Sequence, residues 1–193
     1  MARTKEFDVD HALDQAMDIF WSQGYTATSL SDLILAMDIS KSSFYATFGS
    51  KHDLFISTID RYVASVTSQI VDAAKMDAPA RKIIRALFDR AVERMLKLES
   101  RRGCYLNNCA IEVSRTDVDA AKAVAQGLEI MEGAFLELVT RGQREGGIGV
   151  RHDARAIARY LTATVNGILV LGKANPDADK LYDIADVAMS ALD

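Results

Sequence analysis

An all-α chain, with a small three-helix head carried on a larger helical body, is the fold the sequence predicts, and three observations predict it. Only two prolines, Pro79 and Pro176, interrupt 193 residues rich in Ala, Leu, Ile and Met, the side chains that lose least on entering a helix. Apolar positions recur at i, i+3, i+4 and i+7, which is the helical period and not the alternation of a half-buried strand. Apolar residues make up 49% of the chain, enough for a substantial core.

Taken in order, Val9, Ala12, Leu13, Ala16, Met17 and Phe20 form the first apolar face, with Trp21 and Tyr25 at its edge. Leu30, Leu33, Ile34 and Met37 form the second, and Thr28 or Ser29 can cap its N-terminus. Asp38 falls where the chain must turn sharply, and a short polar side chain tolerates the left-handed backbone better than most non-glycine residues. Ser40 caps the third helix, whose Phe44 and Phe48 stand four apart and pack inward while Lys41, Ser42, Ser43 and Thr47 stay outside. Ser50 caps a long fourth helix that opens at Lys51 and keeps its period through Leu54, Phe55, Ile59, Tyr62, Val63, Val66 and Ile70. The head, residues 8 to 48, is too small to bury much alone and is expected to lean on that helix.

The body begins at Pro79. Arg81 to Leu98 carries Ile84, Leu87, Phe88, Ala91 and Met95; a short segment from Cys104 to Val113 follows Gly103; a long pattern from about Asp119 to Arg144 is ended by Gly146, Gly147 and Gly149. From about Asp153 to Leu171 the inward positions are Ile157, Leu161, Val165 and Ile168, and after Asn175-Pro176 a last amphipathic helix carries Leu181, Ile184, Val187, Met189 and Leu192. Ala158, Ala163, Gly167 and Gly172 are small enough for close helix approach, so the last two helices are the expected dimer helices, with packing inside one subunit as the alternative.

Two short helices around a tight turn, followed by an aromatic and basic cluster, make the outline of a helix-turn-helix DNA reader. Small polar and basic groups at Lys41, Ser42, Ser43 and Thr47 suit a major groove, Tyr45 reaches a phosphate through its hydroxyl, and the helix start at Ser50-Lys51 combines free amides with an ammonium. The residues Asp38-Ile39-Ser40, Phe44-Tyr45-Ala46-Thr47-Phe48, Gly49 and Ser50-Lys51-His52-Asp53-Leu54 resemble a pattern of the TetR/AcrR-type transcriptional regulators: Gly-Val-Ser, a few residues, Leu-Tyr-x-x-Phe, a short gap, Ser-Lys-x-x-Leu. The resemblance extends upstream through Ala16-Met17-Asp18-Ile19-Phe20 and Gly24-Tyr25-Thr26-Ala27-Thr28-Ser29, roughly a quarter of the chain. Asp38 stands where the turn glycine is usual, and Ala46 where an aromatic or histidine is common.

The resemblance implies a helix-turn-helix DNA-binding domain over residues 1–52 and a helical effector-binding and dimerisation domain over 53–193. It places Lys41, Ser42, Ser43 and Thr47 at the major groove, and Thr28, Tyr45 and Lys51, with Ser29 beside them, at the backbone of double-stranded DNA. A homodimer on a palindromic operator, released by a small-molecule effector, is the implied regulator, most simply a repressor.

Charge argues the other way. Residues 1–55 hold four basic side chains (Arg3, Lys5, Lys41, Lys51) against eight acids (Glu6, Asp8, Asp10, Asp14, Asp18, Asp32, Asp38, Asp53), a net −4 that equals the formal charge of the whole chain. Phosphate affinity depends on Lys and Arg, so such a head binds weakly with a shallow salt dependence unless placement compensates. Most acids fall on the first helix and its lead-in, away from Lys41 and Lys51, and Arg3 and Lys5 form an arm able to reach the backbone or minor groove.

Other chemistry is thin. His11, His52 and His152 are scattered without a second ligand at metal spacing and read as surface groups, the glycines after Arg144 lack the strand a phosphate loop requires, and no nucleophile has a base beside it, so neither an enzyme nor a cofactor is expected. The longest aliphatic run, Ile168 to Leu171, is far short of the roughly 18 residues a membrane span requires, and the N-terminus lacks the apolar core of a secretion signal, so a cytoplasmic location is expected. Cys104, Asn108 and Glu112 recur every four residues as a polar stripe that can line an effector pocket, with Tyr62, Phe88, Met131, Phe135 and Asn166 as further candidates that as core residues would need no ligand. Arg101 and Arg102 beside Cys104 are what a reactive thiolate needs, so thiol-based redox or electrophile sensing through Cys104 and Cys109 is the alternative, against two buried, reduced cysteines. A DNA-binding factor with no effector is a further alternative.

Overall fold

The computed structural model describes residues 7–97 and 102–193, the side chains of Thr67, Val71 and Ala74 excepted. Arg3, Lys5, Glu6, Leu98 and Arg101, used in the sequence reading, lie outside the described residues. Among the described residues the chain is helical without strands: α1 (Val9–Gln23), α2 (Leu30–Ala36), α3 (Lys41–Phe48), α4 (Lys51–Ala74), α5 (Ala80–Leu96), α6 (Tyr105–Val113), α7 (Val118–Arg144), α8 (Ala154–Ala174) and α9 (Ala178–Ser190). The all-α prediction holds, and the helices start and stop within about a turn of where the apolar period placed them.

Their starts are set by side-chain acceptors. Asp8 accepts from the His11 amide, Ser40 from Ser43, Ser50 from Asp53, Asp117 from Ala120, Asp153 from Arg155 and Ala156, and Asp177 from Lys180. At α2 the choice left open by the sequence falls on Ser29, which forms a capping box with Asp32. At α5 Pro79 offers no side-chain cap, and Glu145 takes the Ala80 amide at 3.0 Å instead.

Compactness does not follow chain order. One compact unit runs to Ala64 and takes in Asn108–Ala125; the other joins Ser65–Asn107 to Gln126–Asp193, so α4, α6 and α7 each contribute to both. In the first unit, Ala12, Ala16 and Phe20 of α1, Leu33 of α2, Phe44 of α3 and Leu54, Phe55 and Ile59 of α4 are buried. Phe55 meets Phe20 edge-on at 5.2 Å and Tyr25 at 4.4 Å, and Trp21 meets Tyr62 edge-on at 5.1 Å, so both edge aromatics lie against α4.

In the second unit α5, α8 and α9 pack on one another. Ile84, Phe88, Val92 and Met95 of α5, Ile157, Leu161 and Ile168 of α8, and Leu181, Ala185 and Ala188 of α9 fill that core. Gly172 is confined within the subunit, because a Cβ there would stand 2.5 Å from Met95 Cβ, and Ala158 is wholly buried. Those two small residues therefore serve packing inside the chain and leave the set expected between chains. No helix among the described residues is long and apolar enough to cross a membrane.

Candidate nucleic-acid interface

The reader is built from α2, a sharp turn and α3. Asp38 in that turn has φ 49°, the only described non-glycine residue with positive φ, so the aspartate occupies the left-handed turn that the sequence assigned to it. Phe44 anchors α3, fully buried, and Phe48 is half-buried at 5.9 Å from it and 6.4 Å from Phe7. The opposite face carries Lys41, Ser42, Tyr45, Ala46 and Thr47, all exposed, with Ser43 half-exposed. Tyr45 stands edge-on to Phe44 at 5.5 Å, which fixes the ring and leaves it half in solvent. The Ser40 hydroxyl lies 2.9 Å from that of Ser42 and 2.8 Å from that of Ser43, so these two serines are oriented by the cap itself.

Two residues assigned to phosphates stand differently. Thr28 is buried and its hydroxyl donates to Gly24 O at 2.6 Å, so its donor proton is committed within the chain while Ser29 takes the cap. Lys51 donates from Nζ to Tyr25 O at 2.6 Å and lies 4.3 Å from the Tyr25 ring centroid. Burial holds the Lys51 ammonium below its ordinary pKa, opposed by the charge of Glu112, and burial likewise raises the Tyr25 phenol.

The acidity of the head is largely committed to structure. Arg61, beyond the counted residues, donates to Asp10 at 2.7 Å and from Nε and Nη2 to Asp14, whose carboxyl is held low mainly by that hydrogen bond. Asp8 and Asp32 serve caps, and Asp53 accepts from the Ser50 hydroxyl at 2.6 Å. Nothing local in the sequence marks Arg61, because its partners lie 47 and 51 residues away.

His52, read as a surface group, hydrogen-bonds Asp117 at 2.9 Å, and Asp119 lies close enough for the three donor atoms to fall within 4.8 Å. Asp117 already accepts from the Ala120 amide, the chief reason its carboxyl is held low, and the pairing with His52 accounts for the arrangement without a cation.

The proposed effector residues are divided between the two compact units. Glu112 is turned onto the head, accepting from the Tyr25 amide at 3.0 Å and the Thr26 amide at 2.7 Å, so its place in a pocket-lining stripe is corrected. Tyr62 packs on Trp21, and Asn108 is half-buried in the same unit. In the other unit Cys104, Phe88, Met131 and Phe135 are buried, with the Phe88 and Phe135 rings 6.4 Å apart. Asn166 donates to Thr162 O at 2.9 Å, but its Oδ1 is buried and has no hydrogen-bond partner, while Asn107 donates to the Asn166 carbonyl at 3.4 Å. Asn107 escaped the sequence reading because it falls between the positions of the polar stripe. Cys109 is also buried, and neither cysteine is in a disulfide.

Two family models match: residues 12–58 fit the N-terminal model described as bacterial regulatory proteins, tetR family, and residues 79–187 fit a tetracyclin repressor-like C-terminal domain. The HTH-type transcriptional regulator YezE of Bacillus subtilis is 32% identical over 194 residues, covering all of both chains. The HTH-type transcriptional repressor ComR of Escherichia coli is 27% identical over 190 residues, covering 97% of this chain and 90% of its own. Among solved structures, a cysteine mutant of the TetR family transcriptional regulator CifR, complexed with 26bp double-strand operator DNA, has a TM-score of 0.87 at 28% identity over the whole of both chains.

Proposed function

The chain belongs to the TetR family as a DNA-binding transcriptional regulator, and from that premise we propose that it is a homodimeric repressor released from a palindromic operator by a small-molecule effector. The observation that carries the reading is α3 itself, a short helix anchored by Phe44 whose opposite face leaves Lys41, Ser42, Tyr45 and Thr47 exposed. Lys41, Ser42, Ser43 and Thr47 read base edges, and Tyr45 holds a phosphate. The operator complex of CifR and the repressor ComR support the reading, each as a relative.

For the effector, the buried and unpartnered Asn166 Oδ1 supports a ligand that brings a hydrogen-bond donor, with the buried Phe88, Met131, Phe135 and Cys104 of the same unit as its candidate apolar contacts. These side chains are already packed, so binding selects a state in which the helices part. Release is then a population shift, carried to the reader through α4, which runs through both compact units. A second reading, thiol sensing at Cys104, is favoured by the cations at its neighbour: Arg94 donates to Gly103 O at 3.2 Å, and Lys173 lies against Gly103. Full DNA binding after thiol modification would exclude it.

Selection of bound sequences from random duplex DNA tests the function, with Tyr45→Ala as control. A palindrome enriched by the native protein and lost with Tyr45→Ala is expected, and Lys41→Ala should enrich a different sequence. A folded protein that enriches no palindrome would overturn the operator reading.

A further inference from the structure

We propose that Glu112 and Lys51 clamp a single peptide group at the base of the helix-turn-helix, making Glu112 a positioning residue for DNA binding and reassigning the Lys51 ammonium from phosphate contact to that clamp. The geometry is specific. The carbonyl of Tyr25 and the amide of Thr26 belong to one peptide unit; Lys51 donates to that carbonyl at 2.6 Å, and Glu112 accepts from that amide at 2.7 Å. The second Glu112 oxygen takes the Tyr25 amide at 3.0 Å. A carboxylate and an ammonium on opposite ends of one peptide strengthen each other, since each polarises the group toward the other.

The site explains its surroundings. Gly24 has φ 86°, and a Cβ there would stand 2.8 Å from Glu112 Oε2, so the turn reaches the carboxylate only with glycine in place. Thr28 ties its hydroxyl back to Gly24 O, and Ser29 then opens α2. Lys51 is the first residue of α4, directly after α3 and Gly49-Ser50, so the Lys51–Tyr25 bond joins the entry of the α2–α3 pair to its exit. Glu112 makes the same turn depend on α6, a segment 86 residues further on. The tilt of α2, and of α3 behind it, is thereby fixed at its base by two charges neither of which touches DNA.

The reading makes a prediction of opposite sign to simple electrostatics. Removing an acid from an acidic reader should tighten phosphate binding. Breaking the clamp should weaken it. In the full-length protein Glu112→Gln keeps the shape and loses the charge. The expected results are about tenfold weaker binding to a duplex carrying the selected palindrome, the size of a lost charge-assisted hydrogen bond partly open to water, with the slope of log affinity against log salt unchanged. Lys51→Met should weaken binding comparably with the slope again unchanged, whereas a lysine lost from phosphate lowers the slope by about 0.9 per site. The double variant should lose less than the two single losses combined, because both act on one peptide.

A second arm uses the free protein: hydrogen exchange at the Thr26 amide should quicken about tenfold in each single variant while melting of the whole chain stays put. This arm decides the clamp whether or not a palindrome is found. Equal or tighter binding by Glu112→Gln, a slope lowered by Lys51→Met, or unchanged exchange at Thr26 would each overturn it.

Discussion

Asp38 pays for the turn between α2 and α3 in backbone strain, since φ 49° brings a Cβ close to its own carbonyl. An aspartate bears this better than an alanine because its short polar chain can bond locally, and glycine bears it at no steric cost. Asp38→Ala should therefore lower stability by about 1 kcal/mol, while Asp38→Gly should match or exceed the native protein; urea midpoints measure both, and an alanine variant as stable as the glycine variant would contradict the strain. Single residues were legible in the sequence only where the backbone forces the choice. Asp38 could be placed from its neighbours alone, whereas Thr28 and Ser29, adjacent hydroxyls of equal capping ability, could not be told apart until one was seen to be buried against the Gly24 carbonyl and the other to bond Asp32.

Helices carry their own signals in period and caps, which is why every element from α1 to α9 could be drawn from the sequence while their polar partners could not. Arg61 with Asp10 and Asp14, His52 with Asp117, and Glu112 with the α1–α2 turn all join positions dozens of residues apart. A polar residue on a helix face gives no sign of whether water, a ligand or a distant turn receives it. The same capping and pairing gives the elements a common response to acid. Asp14 is held below the usual carboxylate range by Arg61, Asp32 by Ser29, Asp117 by the Ala120 amide and Asp177 by Lys180. A carboxyl whose folded pKa is depressed contributes stability above its unfolded pKa, near 3.9, and loses it as pH falls through the lower folded value. Stability with respect to these groups should thus be level from about pH 5 to 7 and fall below about pH 4. Arg61→Met, removing a partly exposed pair, should cost about 1 kcal/mol at neutral pH, and the gap should narrow as pH falls below the unfolded carboxyl value near 3.9, where the unfolded chain takes up the Asp14 proton first; urea midpoints showing a gap that does not change with pH would mean Arg61 contributes by packing alone.

At the scale of the whole molecule, one apolar face is left uncovered among the described residues. Along α8 the outward positions Ala156, Tyr160, Ala163, Gly167, Val170 and Leu171 follow the helical period, and the last two are 45% and 51% exposed. Val187 of α9 and Ala191, its C-cap, are exposed as well, and Ala191 borders a depression shared with His152, Ala156, Ile157 and Tyr160. Gly167 is the informative position. Gly172, one turn and a residue further along, is glycine because Met95 fills the space a side chain would need, yet a Cβ on Gly167 would meet nothing within 4 Å. In the proposed isologous dimer a second copy of the helix would cross there and account for the bare position, and in such an interface every substitution appears twice beside the two-fold axis. Gly167→Leu should accordingly yield a helical monomer by light scattering, since the chain has open space for the new side chain, and the native protein should measure as a dimer. The monomer should bind a palindrome no better than an isolated half-site, because one reader no longer delivers the other to the neighbouring groove. A Gly167→Leu protein that stays dimeric and keeps its preference for the palindrome would place the dimer contact on another face.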